Sequence, residues 1–144
     1  ELHPYSDIDV LILHNDTTLS LELQEKVSQF ITLLWDLGLD IGSSVRSLET
    51  CIDKVNEDIT IATTFLEIRT LCGLDSLRQN LLELISPLWS DAVFFEAKRD
   101  EQIARHHKHN DTEYNLEPDL KNAPGGLRDI QTIVWVTKRH FQSP

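Results

Sequence analysis

The chain opens with a change from polar to apolar residues that predicts a buried strand. Asp7 and Asp9 stand two positions apart, and an unbroken apolar run over 10–13 follows them. A run of Val, Leu and Ile is typical of a strand covered on both faces. Because side chains at i and i+2 of a strand share a face, we expect both carboxylates to point to the same side where the strand begins.

A three- and four-residue repeat of apolar positions then predicts an amphipathic helix over residues 20–37. Ser20 is a suitable N-cap, and Gly38 is well placed to end the helix. The positions predicted to form the buried face of this helix are Leu23, Val27, Phe30, Ile31, Leu34 and Leu37.

After residue 38 the pattern first predicts strand and helix in alternation and then, from residue 77, helices alone. A second strand is predicted over 39–48, with a short helix over 48–55 after it. The segment 59–71 is ambiguous, because its first residues are β-formers whereas its second half, which stops at Gly73, favours a helix. Three helical segments follow over 77–85, 89–108 and 127–141, and the polar stretch 110–123 is predicted to be a loop.

This order of elements predicts an α+β fold, in which a small mixed sheet is followed by a helical domain. A division near residue 72 gives a first domain over 1–72 and a helical companion domain over 73–144.

Charge and composition narrow the classes of partner. The net charge of −11 argues against a nucleic-acid or membrane partner, because a protein that binds a polyanion usually carries a basic surface. No apolar segment approaches the ~20 residues of a membrane span, and no signal peptide is evident. Cys51 and Cys72 lie far apart and are expected to be free thiols in a reducing cytoplasm. Since the chain begins at Glu1 and contains no methionine, we expect it to be a piece of a longer protein.

The aspartate pair is the strongest candidate for chemistry. Two converging carboxylates repel each other unless a cation lies between them, and Mg²⁺ takes one or two carboxylates together with water and substrate phosphates. Asp7 and Asp9 therefore indicate a magnesium–nucleotide site, although an isolated Asp-x-Asp is more often a polar turn that caps a strand. In the second strand, Ser44 and Arg46 are candidates to face a phosphate, with a purely structural edge strand as an equal alternative.

Four blocks of sequence, taken together and in order, resemble one family. They are the residues 1–9; 34–38 with 44–48; 65–69 with the stop at Gly73; and 114–118 through 124–131. The Asp-x-Asp strand resembles that of the DNA polymerase beta-like nucleotidyltransferases. The four blocks resemble the bifunctional uridylyltransferase/uridylyl-removing enzymes of bacterial nitrogen control.

The resemblance implies a magnesium-dependent transfer of UMP from UTP to a tyrosine of the PII signalling protein. In that reaction Asp7 and Asp9 are expected to be catalytic and to hold the metal. Ser6, Ser44 and Arg46 are expected to bind the nucleotide. The resemblance assigns uridylyl removal to a separate HD domain and glutamine sensing to terminal regulatory domains, so glutamine would be an effector that acts through regions outside this chain.

A third carboxylate often helps to deprotonate the nucleophile in this superfamily. Glu67 is the preferred candidate, with Asp40 and Asp58 as alternatives. A structural ion pair between Glu67 and Arg69 is an equally good interpretation of the same residues.

The resemblance also places a glycine-rich turn, which cradles the triphosphate through backbone N–H groups, before Glu1. We therefore expect the chain alone to be inactive or nearly so. One alternative is a non-catalytic module of this fold that senses nucleotide or docks a protein. A second is an adenylyl-transferring relative that acts on glutamine synthetase, which the block 124–129 disfavours.

Two further groups have structural interpretations. A solvated helix end is preferred to a zinc site for His106, His107 and His109, because no partner cysteine or His-Glu motif accompanies them. The block 127–129 is predicted to pack the helical half against the catalytic half, with Arg128 in an ion pair rather than on a phosphate.

Overall fold

The structure is a computed structural model, and it describes residues 8–15, 18–109 and 119–141. The predicted α+β fold is confirmed. In chain order the elements are β1 (Ile8–His14), α1 (Leu21–Asp36), β2 (Ile41–Ser47), α2 (Leu48–Glu57), α3 (Ile59–Leu66), α4 (Asp75–Ile85), a short 3₁₀ turn (Ser86–Leu88), α5 (Asp91–Lys108) and α6 (Leu127–Phe141). None of the described helices is long and apolar enough to cross a membrane.

The chain forms two compact units. The first comprises Glu1–Asp53 with Thr70–Leu81, and the second comprises Lys54–Arg69 with Leu82–Pro144. The helices α2 and α4 each contribute residues to both units. The division into domains 1–72 and 73–144 stays a prediction.

The sheet of the first unit consists, in the described residues, of two parallel strands. The register pairs Ile8 with Ile41 and runs to His14 opposite Ser47. The helix α1 connects the strands, as a parallel pair requires a crossover. Parallel strands begin at the same edge of a sheet, so Ile8 and Ile41 lie together at one edge.

The ends of α1 follow the sequence signals. The Ser20 hydroxyl accepts a hydrogen bond from the Leu23 N–H at 3.3 Å, as an N-cap does. At the other end Gly38 has a φ of +76°, and its N–H bonds the Trp35 carbonyl at 2.8 Å. The next N–H, that of Leu39, bonds the Leu34 carbonyl at 3.3 Å, which completes a Schellman motif.

The burial predicted for the first unit is wrong. No residue of α1 is buried, and Leu23, Phe30 and Leu37 on its apolar face are 42%, 46% and 66% exposed. In β1 the apolar residues are only half-buried, although the pattern indicates cover on both faces. The physical reason is that two strands and one crossover helix offer little surface for an apolar face to pack against.

Of the two structures that the sequence left open for residues 59–61, the helix forms, because these residues begin α3. The Asp58 carboxylate accepts the Thr60 N–H at 2.7 Å and caps the helix. Burial of Ala62 and Phe65 on one face of the helix then outweighs the β-preference of its first residues. The helix ends at Leu66, so the helical prediction up to Gly73 is too long.

The second unit has a dense apolar core between α3, α5 and α6. Its buried apolar residues are Val55, Ala62, Phe65, Ile85, Phe94, Ala123 and Trp135. The Trp89 indole N–H donates to the Val55 carbonyl at 2.9 Å. The Arg139 guanidinium donates to the carbonyls of Ser86 and Trp89, which connects the end of α6 to the turn before α5.

Candidate active site

One face of the two-stranded sheet brings together most of the described residues that the sequence singled out. The register sets Asp9 opposite Gly42, Leu11 opposite Ser44 and Leu13 opposite Arg46. Because side chains alternate along a strand, Asp9, Ser44 and Arg46 belong to the same face. Asp7 and Ser6 lie outside the described residues, so the pairing of the two aspartates stays a prediction.

The carboxylate of Asp9 lies directly over the backbone of Gly42. A Cβ built on Gly42 would be only 2.6 Å from the Asp9 Oδ1. The Asp9 side chain is exposed, and within the described part of the chain nothing hydrogen-bonds to its carboxylate. An external group can therefore reach this carboxylate.

The donor chemistry at this edge fits a hard divalent cation. Asp40 immediately precedes β2, and its carbonyl accepts the Ile8 N–H at 3.2 Å, so its backbone lies beside the start of β1. Carboxylate oxygens are the ligands that Mg²⁺ takes, usually one or two of them with water and substrate phosphates. No group of three or more His, Cys, Asp or Glu residues that could hold a metal occurs within residues 8–15, 18–109 and 119–141. Asp9 would supply one carboxylate ligand of such a magnesium site.

Arg46 supplies positive charge on the same face. The side chain is half-buried, and its charge lies close enough to Cys51 to influence that thiol. Burial raises the pKa of Cys51, and the Arg46 charge offsets part of the rise. Cys51 is consequently a neutral buried thiol at physiological pH.

The three candidates for a third carboxylate have different environments. Asp40 lies at the sheet edge, whereas Asp58 and Glu67 cap the two ends of α3 in the second unit. Hydrogen bonds from Thr60 hold the pKa of Asp58 below its usual range, as expected for a helix cap. The Glu67 Oε1 accepts the Trp135 indole N–H at 2.9 Å. The alternative interpretation of Glu67, an ion pair with Arg69, is not seen among the described residues.

A cluster around Asp129 was missed by sequence reasoning. The Asp129 carboxylate accepts hydrogen bonds from the Arg105 guanidinium and from the Gly125 N–H, the latter at 2.8 Å, and lies 3.0 Å from the His106 Nε2. Burial alone would raise the pKa of Asp129, but these hydrogen bonds outweigh it and hold the pKa below its usual value. The cluster connects the end of α5 to the turn before α6.

The Asp129 cluster corrects two predictions. His106 is not at a solvated helix end, because its side chain is only 24% exposed and is held by Asp129. Arg128 makes no ion pair with a described residue, and its guanidinium lies 5.6 Å from the centre of the Trp135 ring. The signal available in the sequence was the spacing of Arg105 and His106 on one helix turn, which is too common to be decisive.

Lys98 was missed as well. Its side chain is 1% exposed, its ammonium group donates to Glu101, and it lies 4.7 Å from the centre of the Trp135 ring. A lysine on a helix gives no sequence signal for such burial, because it is usually exposed.

Comparison with known proteins decides the family. The family model described as GlnD PII-uridylyltransferase matches residues 93–143. A bifunctional uridylyltransferase/uridylyl-removing enzyme of Pseudomonas aeruginosa PAO1 is 53% identical over 99% of the chain. The chain belongs to this family. Enzymes of the same name from Pseudomonas fluorescens SBW25 and Azotobacter vinelandii DJ are 52% and 51% identical, each over 98% of the chain.

The chain spans only 16% of the length of these bifunctional uridylyltransferase/uridylyl-removing enzymes. No solved structure matches it. The region matched by the family model contains most of α5, all of α6 and the Asp129 cluster, whereas the similarity to the individual enzymes extends over the sheet as well. The sequence similarity thus covers both the sheet and the helices.

Proposed function

We propose that this chain contributes to the uridylyl-transferring site of a longer enzyme, which moves UMP from UTP to a tyrosine of the PII signalling protein. Family membership supports the reaction class. The observation that carries the proposal is the exposed Asp9 carboxylate over Gly42, on the sheet face that also contains Ser44 and Arg46. A carboxylate that can hold Mg²⁺ and a guanidinium that can pair with phosphate suit one face to a metal-bound triphosphate.

The transfer is a displacement at the α-phosphorus. A bond forms between the tyrosine oxygen and the α-phosphorus while the bond to the bridging oxygen breaks, and pyrophosphate leaves with that electron pair. Mg²⁺, when bound, would neutralise charge on the phosphate oxygens. In this proposal Asp9 and Asp7 hold the ion, Arg46 offsets phosphate charge, and Ser44 and Ser6 donate hydrogen bonds.

The tyrosine must also lose its proton. The resemblance supports Glu67 as the group that accepts this proton. Asp40 and Asp58 are the alternatives. The proposal places the reaction in the cytoplasm, includes glutamine as an effector that acts through regions outside this chain, and involves neither nucleic acid nor membrane.

The proposal is tested by the substitution Asp9→Asn in the full-length enzyme that contains this chain. Transfer of labelled UMP to PII protein should fall by more than about 100-fold. Substitution of residues that only support metal ligands costs up to about 100-fold in activity, and loss of a ligand itself should cost more. Asp36→Asn is the matched control, because Asp36 is an exposed aspartate at the end of α1. Unchanged transfer in Asp9→Asn would overturn the proposal.

Two further measurements define its limits. The 144-residue chain alone should transfer little or no UMP, since it spans 16% of the length of its relatives. Titration of the full-length protein with UTP and Mg²⁺ separates catalysis from sensing. Binding of UTP without any transfer to PII protein would favour a sensing module instead.

A further inference from the structure

Gly42 is distinguished by the side chain above it and not by its own backbone conformation. Its φ lies outside the left-handed region that L-residues avoid, in contrast to the +76° of Gly38. A side chain at position 42 would therefore meet no backbone strain. What excludes it is the Asp9 carboxylate, whose Oδ1 would be 2.6 Å from the new Cβ.

In this contact a side chain that can rotate lies against a backbone that is held by strand pairing. Seven register pairs hold β1 against β2, so the strands resist separation at this point. The Asp9 carboxylate is the end of an exposed side chain and can rotate. A Cβ at position 42 would thus displace the carboxylate by roughly 1 Å, the distance needed to restore ordinary van der Waals contact.

A displacement of this size matters for a metal ligand. Oxygen–metal distances in binding sites are fixed to about 0.2 Å, and misplacement of a reacting group by about 1 Å can reduce a rate by about 100-fold. The absence of a side chain at position 42 therefore decides where the carboxylate of position 9 lies.

We propose that Gly42 is a positioning residue, which keeps the Asp9 carboxylate over the bare β2 backbone so that it can bind a divalent cation. This inference rests on the proposed function, and it gives Gly42 a role in that function. Gly42 contacts neither the ion nor the nucleotide and acts only through Asp9.

The first test uses Mn²⁺ as the probe in the full-length enzyme. Gly42→Ala should weaken Mn²⁺ binding, measured by electron paramagnetic resonance in the presence of α,β-methylene-UTP, by at least about tenfold. The turnover number for UMP transfer should fall by about 100-fold, with little change in the KM for PII protein. Equal Mn²⁺ affinity in Gly42→Ala and the unsubstituted enzyme would overturn the inference.

Two controls separate positioning from general damage. Ser43→Ala changes the neighbouring residue on the opposite face of β2 and should leave Mn²⁺ affinity and turnover unchanged. Gly38→Ala strains the backbone in a place where no atom lies within 4 Å of the new Cβ. It should lower thermal stability but not Mn²⁺ affinity, and equal losses of Mn²⁺ affinity in Gly38→Ala and Gly42→Ala would contradict a positioning role.

A double substitution keeps the inference testable if Gly42→Ala folds poorly. In an Asp9→Ala background the clash is gone, so adding Gly42→Ala should raise the melting temperature, as replacement of glycine does at a compatible site. In the presence of Asp9 the rise should be smaller, because the carboxylate must rotate away from the new Cβ. Identical shifts in both backgrounds would show that Asp9 and position 42 do not interact.

The outcomes also separate this inference from the proposed function. Loss of transfer in Asp9→Asn together with normal Mn²⁺ binding in Gly42→Ala would leave the proposed function intact and remove the role of Gly42. Full transfer in Asp9→Asn would remove the proposed function itself.

Discussion

The two units of the molecule differ in how many apolar residues they bury and in how exposed their charged groups are. The first unit contains the sheet face with Asp9, Ser44 and Arg46, but its buried apolar residues are only Ile41, Cys51 and Leu81 among those described. The second unit has a core built around Phe94 and Trp135, and two of its ion pairs, Lys98–Glu101 and Arg105–Asp129, are partly buried. The candidate site residues on the sheet thus lie in the unit that buries fewer apolar residues.

Polar contacts show the same difference. In the first unit the ion pair of Glu22 with Lys26 is exposed, and such pairs contribute little to stability. In the second unit the Arg105–Asp129 pair is 12% and 14% exposed, so breaking it leaves a partly buried charge without a partner. We infer that stability in this chain resides mainly in the second unit.

The largest expected effect is that of Phe94→Ala. Phe94 is 1% exposed, and removal of a buried phenylalanine ring costs about 3–5 kcal/mol. Its neighbour Phe95 is 50% exposed on the same helix, so Phe95→Ala is the matched control and should cost far less. Urea denaturation of the chain measures both. Equal losses for the two variants would contradict a core centred on Phe94.

Hydrogen exchange followed by mass spectrometry shows which elements lose stability in Phe94→Ala. The loss of protection in Phe94→Ala should be largest in α5 and α6, because these helices pack on each other in the second unit. An equal loss of protection throughout β1 and β2 would show that the two units unfold as one.

Asp129→Asn should have the next largest effect. The substitution removes the negative charge between Arg105 and His106 and weakens the acceptor for the Gly125 N–H. Loss of a hydrogen-bonded group that leaves buried donors unsatisfied costs about 1–3 kcal/mol. Asp100→Asn, which affects only an exposed pair with Arg99, is the control and should change the free energy of unfolding very little.

The contribution of Asp129 should also depend on pH. Its pKa is below the ordinary value of 3.8 in the folded chain, so its stabilising effect is complete above that pH and is lost as pH falls through the lower folded value. The difference in melting temperature between the unsubstituted chain and Asp129→Asn should therefore be largest above about pH 4 and shrink in acid. A difference that grows on acidification would mean that the pKa shift has the opposite sign.

Local signals in the sequence predicted the fold well where they act through nearby backbone atoms. Ser20 and Gly38 set the ends of α1, and the pattern of β2 lies within one or two residues of the observed strand. The ambiguity at residues 59–61 has a different cause. There the strand preference of isoleucine and threonine is local, whereas the packing that makes α3 a helix comes from residues far away in the chain.

The sequence predicted only the part of the candidate site that lies within a single strand. Alternation along a strand places Ser44 and Arg46 on one face, but only the register between strands shows that this is also the face of Asp9. The contact of Asp9 with Gly42 depends on that register and on a side-chain rotamer, which a single sequence does not contain. The burial of Lys98 and the partners of Asp129 likewise depend on contacts between distant elements.

The smallest expected effect lies in the first unit, at Gly38. Its φ of +76° costs a residue with a Cβ about 1 kcal/mol, and no neighbouring atom adds to this cost. Gly38→Ala should therefore lower stability by about 1 kcal/mol, with exchange increasing mainly at the end of α1. Asparagine adopts left-handed conformations more readily than alanine, so Gly38→Asn should retain more stability than Gly38→Ala. If the two variants lose the same amount, the cost does not come from φ, and the first unit depends on Gly38 for another reason.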